Sequence, residues 1–311
     1  MILTICPNPS IDCTIELDSL NVGKLNRIDS KVETYSGKAL NVAMGIGRLG
    51  EQAFATGFMF ENHGRMFEHV LDKESVKHQF VYDKGNARVN YKIIDKRSML
   101  TEINDRGETV EREKQQELIE YVRKIAPNFD IIVMSGSLPK GVDPSFYGEV
   151  LSVIPKDKKI IVDTEKASML SAIENCEVFM AKPNLRELEA FTGKDVRDLH
   201  DMVRAARKYI DKGVKNVLIS LGAEGALLTD GTESYFCKSA SVAVNSTVGA
   251  GDCMVAAACV GLKKGVPMRE LLRMSVAAGT ASVTTSGTNL FYYDKYKEIY
   301  AKINSEKIYF N

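Results

Sequence analysis

The chain has 311 residues, about twice a typical domain length and within reach of one large α/β domain. Apolar residues make up 44% and charged residues 26%, which sets aside disorder, a collagen-like repeat and a disulfide scaffold. Lys plus Arg equals Asp plus Glu at 41 each, so no net field draws in a polyanion, no nucleic-acid partner is expected, and any anion binding must be local. The six cysteines form no C-x-x-C pair and suit free thiols in a reducing, cytoplasmic setting. The opening Met-Ile-Leu-Thr-Ile-Cys meets Pro7, Pro9 and Asp12 too soon, and without a basic leader, for an export signal. The uncharged run Met274 to Tyr293 has spanning length, but its Ser, Thr, Gly and Asn content reads as a helix followed by a turn, and no membrane partner is expected.

In chain order, Met1 to Cys6 is predicted to join a main α/β layer, together with a helix opening at Asn41 and with Gln52 to Phe58. Ile11 to Leu17, Ser30 to Tyr35, Arg88 to Ile94 and Ser98 to Ile103 mix polar and apolar residues as half-exposed strands do. They predict a small second sheet made from two insertions, 10–36 and 86–104. From about residue 110 the runs Asp130 to Met134, Lys159 to Asp163, Glu177 to Ala181 and Asn216 to Ser220 alternate with helix-period segments such as 143–153, 167–174, 184–192 and 250–264. That alternation is the signature of βαβ units and a parallel sheet. No low-complexity linker or internal repeat interrupts it, so one domain over 1–311 is expected.

Gly45-Ile-Gly47-Arg-Leu-Gly50 matches G-x-G-x-x-G, the basis for a dinucleotide-dependent dehydrogenase. The motif needs a strand before it and a helix opening at its glycines, whereas Asn41-Val-Ala-Met44 already reads as helix. Close helix packing, with Gly50 closing the helix, is the better account. No G-x-x-x-x-G-K-[ST] occurs, nor the protein-kinase H-R-D and D-F-G strings. The four histidines show no i, i+4 pair, so a zinc site lacks suitably spaced ligands, while oxygen-ligated metal stays open. Ser137-Leu-Pro-Lys140 fits S-x-x-K, a pattern that arises often by chance and here lacks its partner motifs.

Asp252 is the only charged residue between Lys238 and Lys263 and follows Gly249-Ala250-Gly251 directly. The plainer account is a helix N-cap or first-turn Asp stabilised by free amides and the dipole. The functional account adds that Gly-Ala-Gly presents unobstructed N–H groups, an anion hole for a transferred phosphoryl group, with Asp252 as general base against an acceptor hydroxyl. Local sequence leaves both open.

Asn245-Ser-Thr-Val-Gly249-Ala250-Gly251-Asp252 resembles the C-terminal signature of the PfkB (ribokinase-like) carbohydrate kinases, and Ser36-Gly37-Lys38-Ala39-Leu40-Asn41-Val42-Ala43 resembles their N-terminal Gly-Gly-Lys-Gly-x-Asn-Val-Ala. Asn8-Pro-Ser-Ile-Asp12, Arg88-Val-Asn90, Thr101-Glu-Ile-Asn104, Ser135-Gly-Ser-Leu-Pro139, Lys182-Pro-Asn184-x-x-Glu187 and Ser220-Leu-Gly-Ala-Glu-Gly225 are similar to the 1-phosphofructokinase and tagatose-6-phosphate kinase branch. The ordered set runs from residue 8 to about 287.

The resemblance implies a three-layer α/β/α core with a mostly parallel sheet and a β-sheet lid that often forms a homodimer interface. It implies ATP-dependent phosphorylation of a ketohexose phosphate: fructose 1-phosphate first, tagatose 6-phosphate as the alternative, and a catalytically weak sugar-phosphate sensor as the reading from another class. Carried over by position, Asp252 becomes the base and Gly249, Ala250 and Gly251 the anion hole. Asp12 and Asn41 become ligands of sugar hydroxyls, within a substrate site that takes in Gly37 and Ser137. Lys38 and Arg88 become ligands of the substrate phosphate, with Arg27 as a third candidate. Lys182, Asn184, Glu187, Ser220, Gly222 and Gly225 become the nucleotide side, Asn184 and Glu187 holding Mg²⁺ through water. The chemistry fits these roles, since carboxylates accept from hydroxyls and Lys or Arg neutralises phosphate. For Lys38 and Arg27 a solvated surface charge is the plainer account. A capping box explains Asn184 and Glu187 equally well, and a plain turn explains 220–225. Two positions depart from the family: Ser36 and Ala39 stand where it has glycine. If either requires positive φ or close backbone approach, a Cβ costs on the order of 1 kcal/mol or more and retunes the sugar site.

Overall fold

Every residue of Ile2–Cys6 (β1) is apolar or β-branched and buried, the pattern of a central parallel strand. A computed structural model, which describes residues 1–97, 99–285 and 290–309, gives the strands that follow. In the first half they are β2 Ser10–Leu17, β3 Ser30–Ser36, β4 Ala53–Phe60, β5 Lys77–His78, β6 Val81–Asp83, β7 Arg88–Asp95 and β8 Leu100–Asn104. In the second half they are β9 Ile131–Ser135, β10 Lys159–Asp163, β11 Val178–Ala181, β12 Asn216–Ser220, β13 Ala226–Thr229, β14 Ser234–Cys237 and β15 Ser305–Lys307.

Among the described residues the main sheet runs β15-β14-β13-β12-β11-β10-β9-β1-β4-β5, with β6 paired to β4. It is parallel from β5 to β12, and antiparallel from β12 to β15. The alternating β-rich and helix-period runs account for the parallel part. The antiparallel end has strands of three or four residues, too short to show a period, although Asp230-Gly231 between β13 and β14 is a hairpin signal. Helices Lys38–Arg48, Ala250–Lys264 and Met268–Ser282 pack against one another; Arg112–Ile125, Ser145–Ser152, Lys166–Asn175, Leu185–Thr192 and Leu199–Ile210 form a second connected series. Gly45 and Gly47 lie inside the first of these helices, and a Cβ on Gly45 would stand 2.8 Å from Ala256 Cβ. The G-x-G-x-x-G match is therefore a packing device, and Gly50 follows the helix end with φ +83°.

The second sheet is β3-β2-β7-β8, with β2 and β7 parallel and both edges antiparallel. In β7 Asn90 and Lys92 are buried on either side of exposed Tyr91, whereas β8 is exposed along its whole length. Of the expected strand Ser98 to Ile103, Leu100 onward is in β8, and Ser98 lies outside the described residues. The two sheets meet where β1 passes into β2 through Pro7-Asn8-Pro9, and there the cleft opens.

Candidate active site

The cleft, about 1130 Å³, collects the carboxyl ends of parallel strands β9, β10, β11 and β12 on one side and the inner face of the small sheet on the other. Ligands of open α/β sheets bind at such strand ends. Thirteen of the residues expected from sequence line it: Asp12, Gly37, Lys38, Asn41, Arg88, Ser137, Lys182, Asn184, Glu187, Ser220, Gly249, Gly251 and Asp252.

Asp252 is buried at the third position of helix Ala250–Lys264, whose N-cap is Gly249 in left-handed conformation. The N-cap itself is thus glycine, and Asp252 is the first-turn acid. Cys253 N is the first amide to bond back, to Gly249 O at 2.9 Å, so the amides before it have no helical acceptor. Asn41 Nδ2 donates to Asp252 Oδ2 at 2.8 Å. Burial is the main force on this carboxyl and pushes its pKa up to about 6; Lys38, the Asn41 bond and Lys182 oppose it, and Asp163 adds to it. A carboxylate so placed is ionised near neutrality yet basic enough to accept a proton.

The floor of the cleft holds a carboxylate that sequence reasoning missed. Asp163, fully buried at the end of β10, lies 3.5 Å from Lys38 Nζ and 3.3 Å from Lys182 Nζ, and accepts from Ser135 Oγ at 3.2 Å. Burial works against its ionisation, but the two ammonium groups and their hydrogen bonds hold its pKa below the usual range. Lys38 is raised in turn, chiefly by Asp163, while its side chain stays 43% exposed. A Cβ on Gly251 would stand 3.2 Å from Lys182 Nζ, so the glycine leaves the ammonium room beside the free amides. Three cationic or N–H sources thus converge where a phosphoryl group's charge would rest. The only sequence signal for Asp163 is an acid ending a buried apolar strand.

Asn184 and Glu187 form a complete capping box: Glu187 N donates to Asn184 Oδ1 and Asn184 N to Glu187 Oε2, both at 2.9 Å. The plainer account is realised, and both residues still line the cleft. Among the described residues no three His, Cys, Asp or Glu side chains converge on a metal site.

On the lid side, Arg88 is held by the carbonyls of Asp105 and Asn8 at 3.3 Å each, and its Nε is buried without an acceptor. Gly37 has φ +151°, and a Cβ there would lie 2.8 Å from Cys6 Sγ and 3.2 Å from Pro9 Cα, so glycine is required. Ser36 and Ala39 are different: among the described residues Ser75 is the only non-glycine with positive φ, so neither replacement strains the backbone.

Three of the expected residues, Arg27, Gly222 and Gly225, lie apart from the cleft lining, and Ala250 is expected there only for its backbone N–H. Arg27 stands exposed on the β2–β3 connection, a solvated surface charge, and does not line the cleft. Gly222 and Gly225 close a turn of their own, Leu221 N to Gly225 O at 2.9 Å, and a Cβ on Gly225 would meet Cys237 O at 2.0 Å. They serve the β12–β13 connection, and Ser220 alone of that segment reaches the cleft. Ala250 does not line it either, which leaves its backbone N–H as its contribution.

A buried carboxylate at a helix start, with free amides and two lysines beside it in a cleft that faces the small sheet, suits phosphoryl transfer to a hydroxyl. The profile of the pfkB family of carbohydrate kinases matches residues 8–294. The chain is 28% identical to the 1-phosphofructokinase of Vibrio cholerae over 99% of this chain and 97% of that one, and 31% identical to a tagatose-6-phosphate kinase of Staphylococcus epidermidis over 97% and 98%. Phosphofructokinase-2 of Escherichia coli, solved in complex with substrates and products, superposes with TM-score 0.90 at 30% identity, over 97% and 98% of the two chains. This chain belongs to the pfkB family of carbohydrate kinases.

Proposed function

We propose that the protein transfers the γ-phosphoryl group of ATP to the 6-hydroxyl of fructose 1-phosphate, giving fructose 1,6-bisphosphate, as one kinase unit over 1–311 with the small sheet as its lid. The observation that carries this reading is Asp252, a buried carboxylate of raised pKa set beside the free amides of its helix and facing a cleft lined by cations. Its carboxylate takes the proton of the acceptor hydroxyl as that oxygen bonds to the γ-phosphorus and the bond to ADP breaks. The amides following Gly249, with Lys182 and Lys38, bear the charge of the transferred group. Glu187 and Asn184 would hold Mg²⁺ through water on the nucleotide side. When bound with the triphosphate, that ion offsets phosphate charge.

Fructose 1-phosphate is put first on the strength of the 1-phosphofructokinase of Vibrio cholerae, similar to this chain over 99% of its length, since the motifs Asn8 to Asp12 and Arg88 to Asn104 are common to both kinds of kinase. Tagatose 6-phosphate is the second reading, supported by the Staphylococcus relative. A furanose ketose carries a CH₂O group at each end, so a site that clamps phosphate at one end presents the hydroxyl at the other. An intact Gly-Ala-Gly-Asp with a working pKa favours an enzyme over a sensor. The free cysteines support a reducing, cytoplasmic setting, and among the described residues no helix is long and apolar enough to cross a membrane. Steady-state ADP release over a panel of sugar phosphates tests the proposal. A kcat/KM for fructose 1-phosphate above those for tagatose 6-phosphate and fructose 6-phosphate is expected, and the reverse order overturns the assignment.

A further inference from the structure

One residue of the G-x-G-x-x-G match has no part in its packing role. Arg48 ends helix Lys38–Arg48, and its guanidinium donates in two directions. Nε donates to Glu74 Oε2 at 2.9 Å and Nη2 to Glu74 Oε1, a bidentate pair that joins this helix end to the end of helix Gly64–Lys73. Nη1 donates to the Phe291 carbonyl at 3.0 Å, across 243 residues of sequence. A partly exposed ion pair contributes little by itself and needs no third bond.

The third bond holds a segment set against the catalytic helix. Phe291 is fully buried, and its Cε1 lies 3.9 Å from where a Cβ on Gly45 would stand. Leu290 is buried too, with Cδ2 3.7 Å from where a Cβ on Gly249 would stand. The backbone of Phe291 also makes a hydrogen bond with the thiol of Cys253, the residue after Asp252. Leu290-Phe291 therefore lies between helix Lys38–Arg48 and the start of helix Ala250–Lys264. Gly249, the N-cap there, is left-handed and has no side chain to fix it, so its conformation rests on what packs against it. Helix Lys38–Arg48 thus reaches the catalytic helix twice. Asn41 bonds Asp252 directly, and Arg48, about 10 Å further along the axis, holds the segment that touches Gly249.

We propose that Arg48 is a positioning residue for phosphoryl transfer. Its bond to the Phe291 carbonyl holds Leu290 against Gly249 and keeps the amides that follow aimed at the group in transfer. The pair with Glu74 fastens two helix ends, and the share in the rate belongs to the Phe291 bond. The proposal rests on the sugar-phosphate kinase reading above and involves neither the base nor the sugar directly.

ADP release by the wild type with ATP and fructose 1-phosphate, tagatose 6-phosphate or fructose 6-phosphate comes first, and the acceptor turned over best is kept. If none is turned over, the kinase reading falls and this proposal with it. Arg48→Met keeps an apolar stem and removes the fork. The expected result is kcat lower by on the order of 10- to 100-fold. The KM values for ATP and the acceptor should stay within about twofold, because the amides meet more charge in the transition state than in the bound substrates. A lower Tm accompanies this under either account, since the Phe291 carbonyl loses its donor. Wild-type kcat in a folded but less stable variant overturns the proposal, and so does a raised KM with kcat unchanged. Glu74→Gln separates the two bonds: it weakens the pair and leaves the Phe291 bond, so kcat should stay near that of the wild type. A loss as large as that of Arg48→Met would make the ion pair the carrier and end the proposal. Should Arg48→Met not fold by circular dichroism, Arg48→Lys decides, because an ammonium still faces Glu74 but lacks the fork that also reaches Phe291. Lowered kcat then supports the proposal, and wild-type kcat overturns it.

Discussion

At Asp252 folding and catalysis pull in opposite directions. Burial raises its pKa from 3.8 to about 6; a raised carboxyl contributes stability that is present at low pH and lost as pH rises through about 6. At neutral pH the ionised side chain therefore works against the fold. Asp252→Asn is expected to lower kcat by roughly 10²–10⁴, the range for a general base, while raising rather than lowering Tm. A thermal melt beside a rate assay checks both, and near-normal turnover would return the residue to a helix-start acid. The same pKa sets the acid limb of the wild type: kcat/KM should fall about tenfold per unit below pH 6, because a protonated base cannot accept the hydroxyl's proton. A limb centred near pH 4 would show that burial does not raise the base in the free enzyme. Sequence made Asp252 legible because it stands alone in an apolar stretch. Asp163 and Lys92 were not, because an acid after Ile-Ile-Val and a lysine in a half-polar strand both read as solvated ends and faces until other segments close over them.

Among the elements, helix Leu185–Thr192 is capped by a pair of side chains, Asn184 and Glu187, that the proposed function also sets on the nucleotide side. Asn184→Ala removes the cap acceptor and should cost about 1 kcal/mol of stability. Glu187→Gln keeps a side chain that can accept from the Asn184 amide, since glutamine also completes a capping box. It should leave the denaturation midpoint unchanged while raising the Mg²⁺ concentration needed for half-maximal rate, and excess Mg²⁺ should restore part of the activity. A destabilised Glu187→Gln with normal Mg²⁺ dependence would confine the residue to capping. At this scale sequence served the parallel core and the small sheet well, because the continuous apolar runs of β9 to β12, the 3.6-residue period of the helices between them and the mixed polar and apolar residues of β2, β3 and β7 are all local properties. It missed β13, β14 and β15, whose partners are fixed by neighbours in space and not by any period of their own.

For the molecule as a whole, the outer face of the small sheet carries Tyr91 opposite Ile103, exposed by 41% and 55%, with Val22 and Leu25 on the loop beside it. An apolar sheet face left open supports association through the lid, and a tetrameric form is described for phosphofructokinase-2 of Escherichia coli. Sedimentation should give a dimer at micromolar concentration, and Tyr91→Lys with Ile103→Lys should give a monomer. A wild-type monomer would leave the lid face without this role.

The bond between Asn41 and Asp252 spans 211 residues, and those that tie Asp12 to Asn90 and Lys92 span 78 and 80. Each closes a long loop of chain, whose entropy is lost before the contact gives anything back. Asp252 and its partner Asn41 therefore have no native arrangement in any chain that has not brought its last third against its first, whereas the ties of the small sheet close within the first third. During refolding from denaturant, secondary structure should return early and phosphoryl transfer only with the slowest phase. A nascent chain emerging N-terminus first would likewise have a formed lid strand and half a cleft, but no means of turning over ATP until helix Ala250–Lys264 docks.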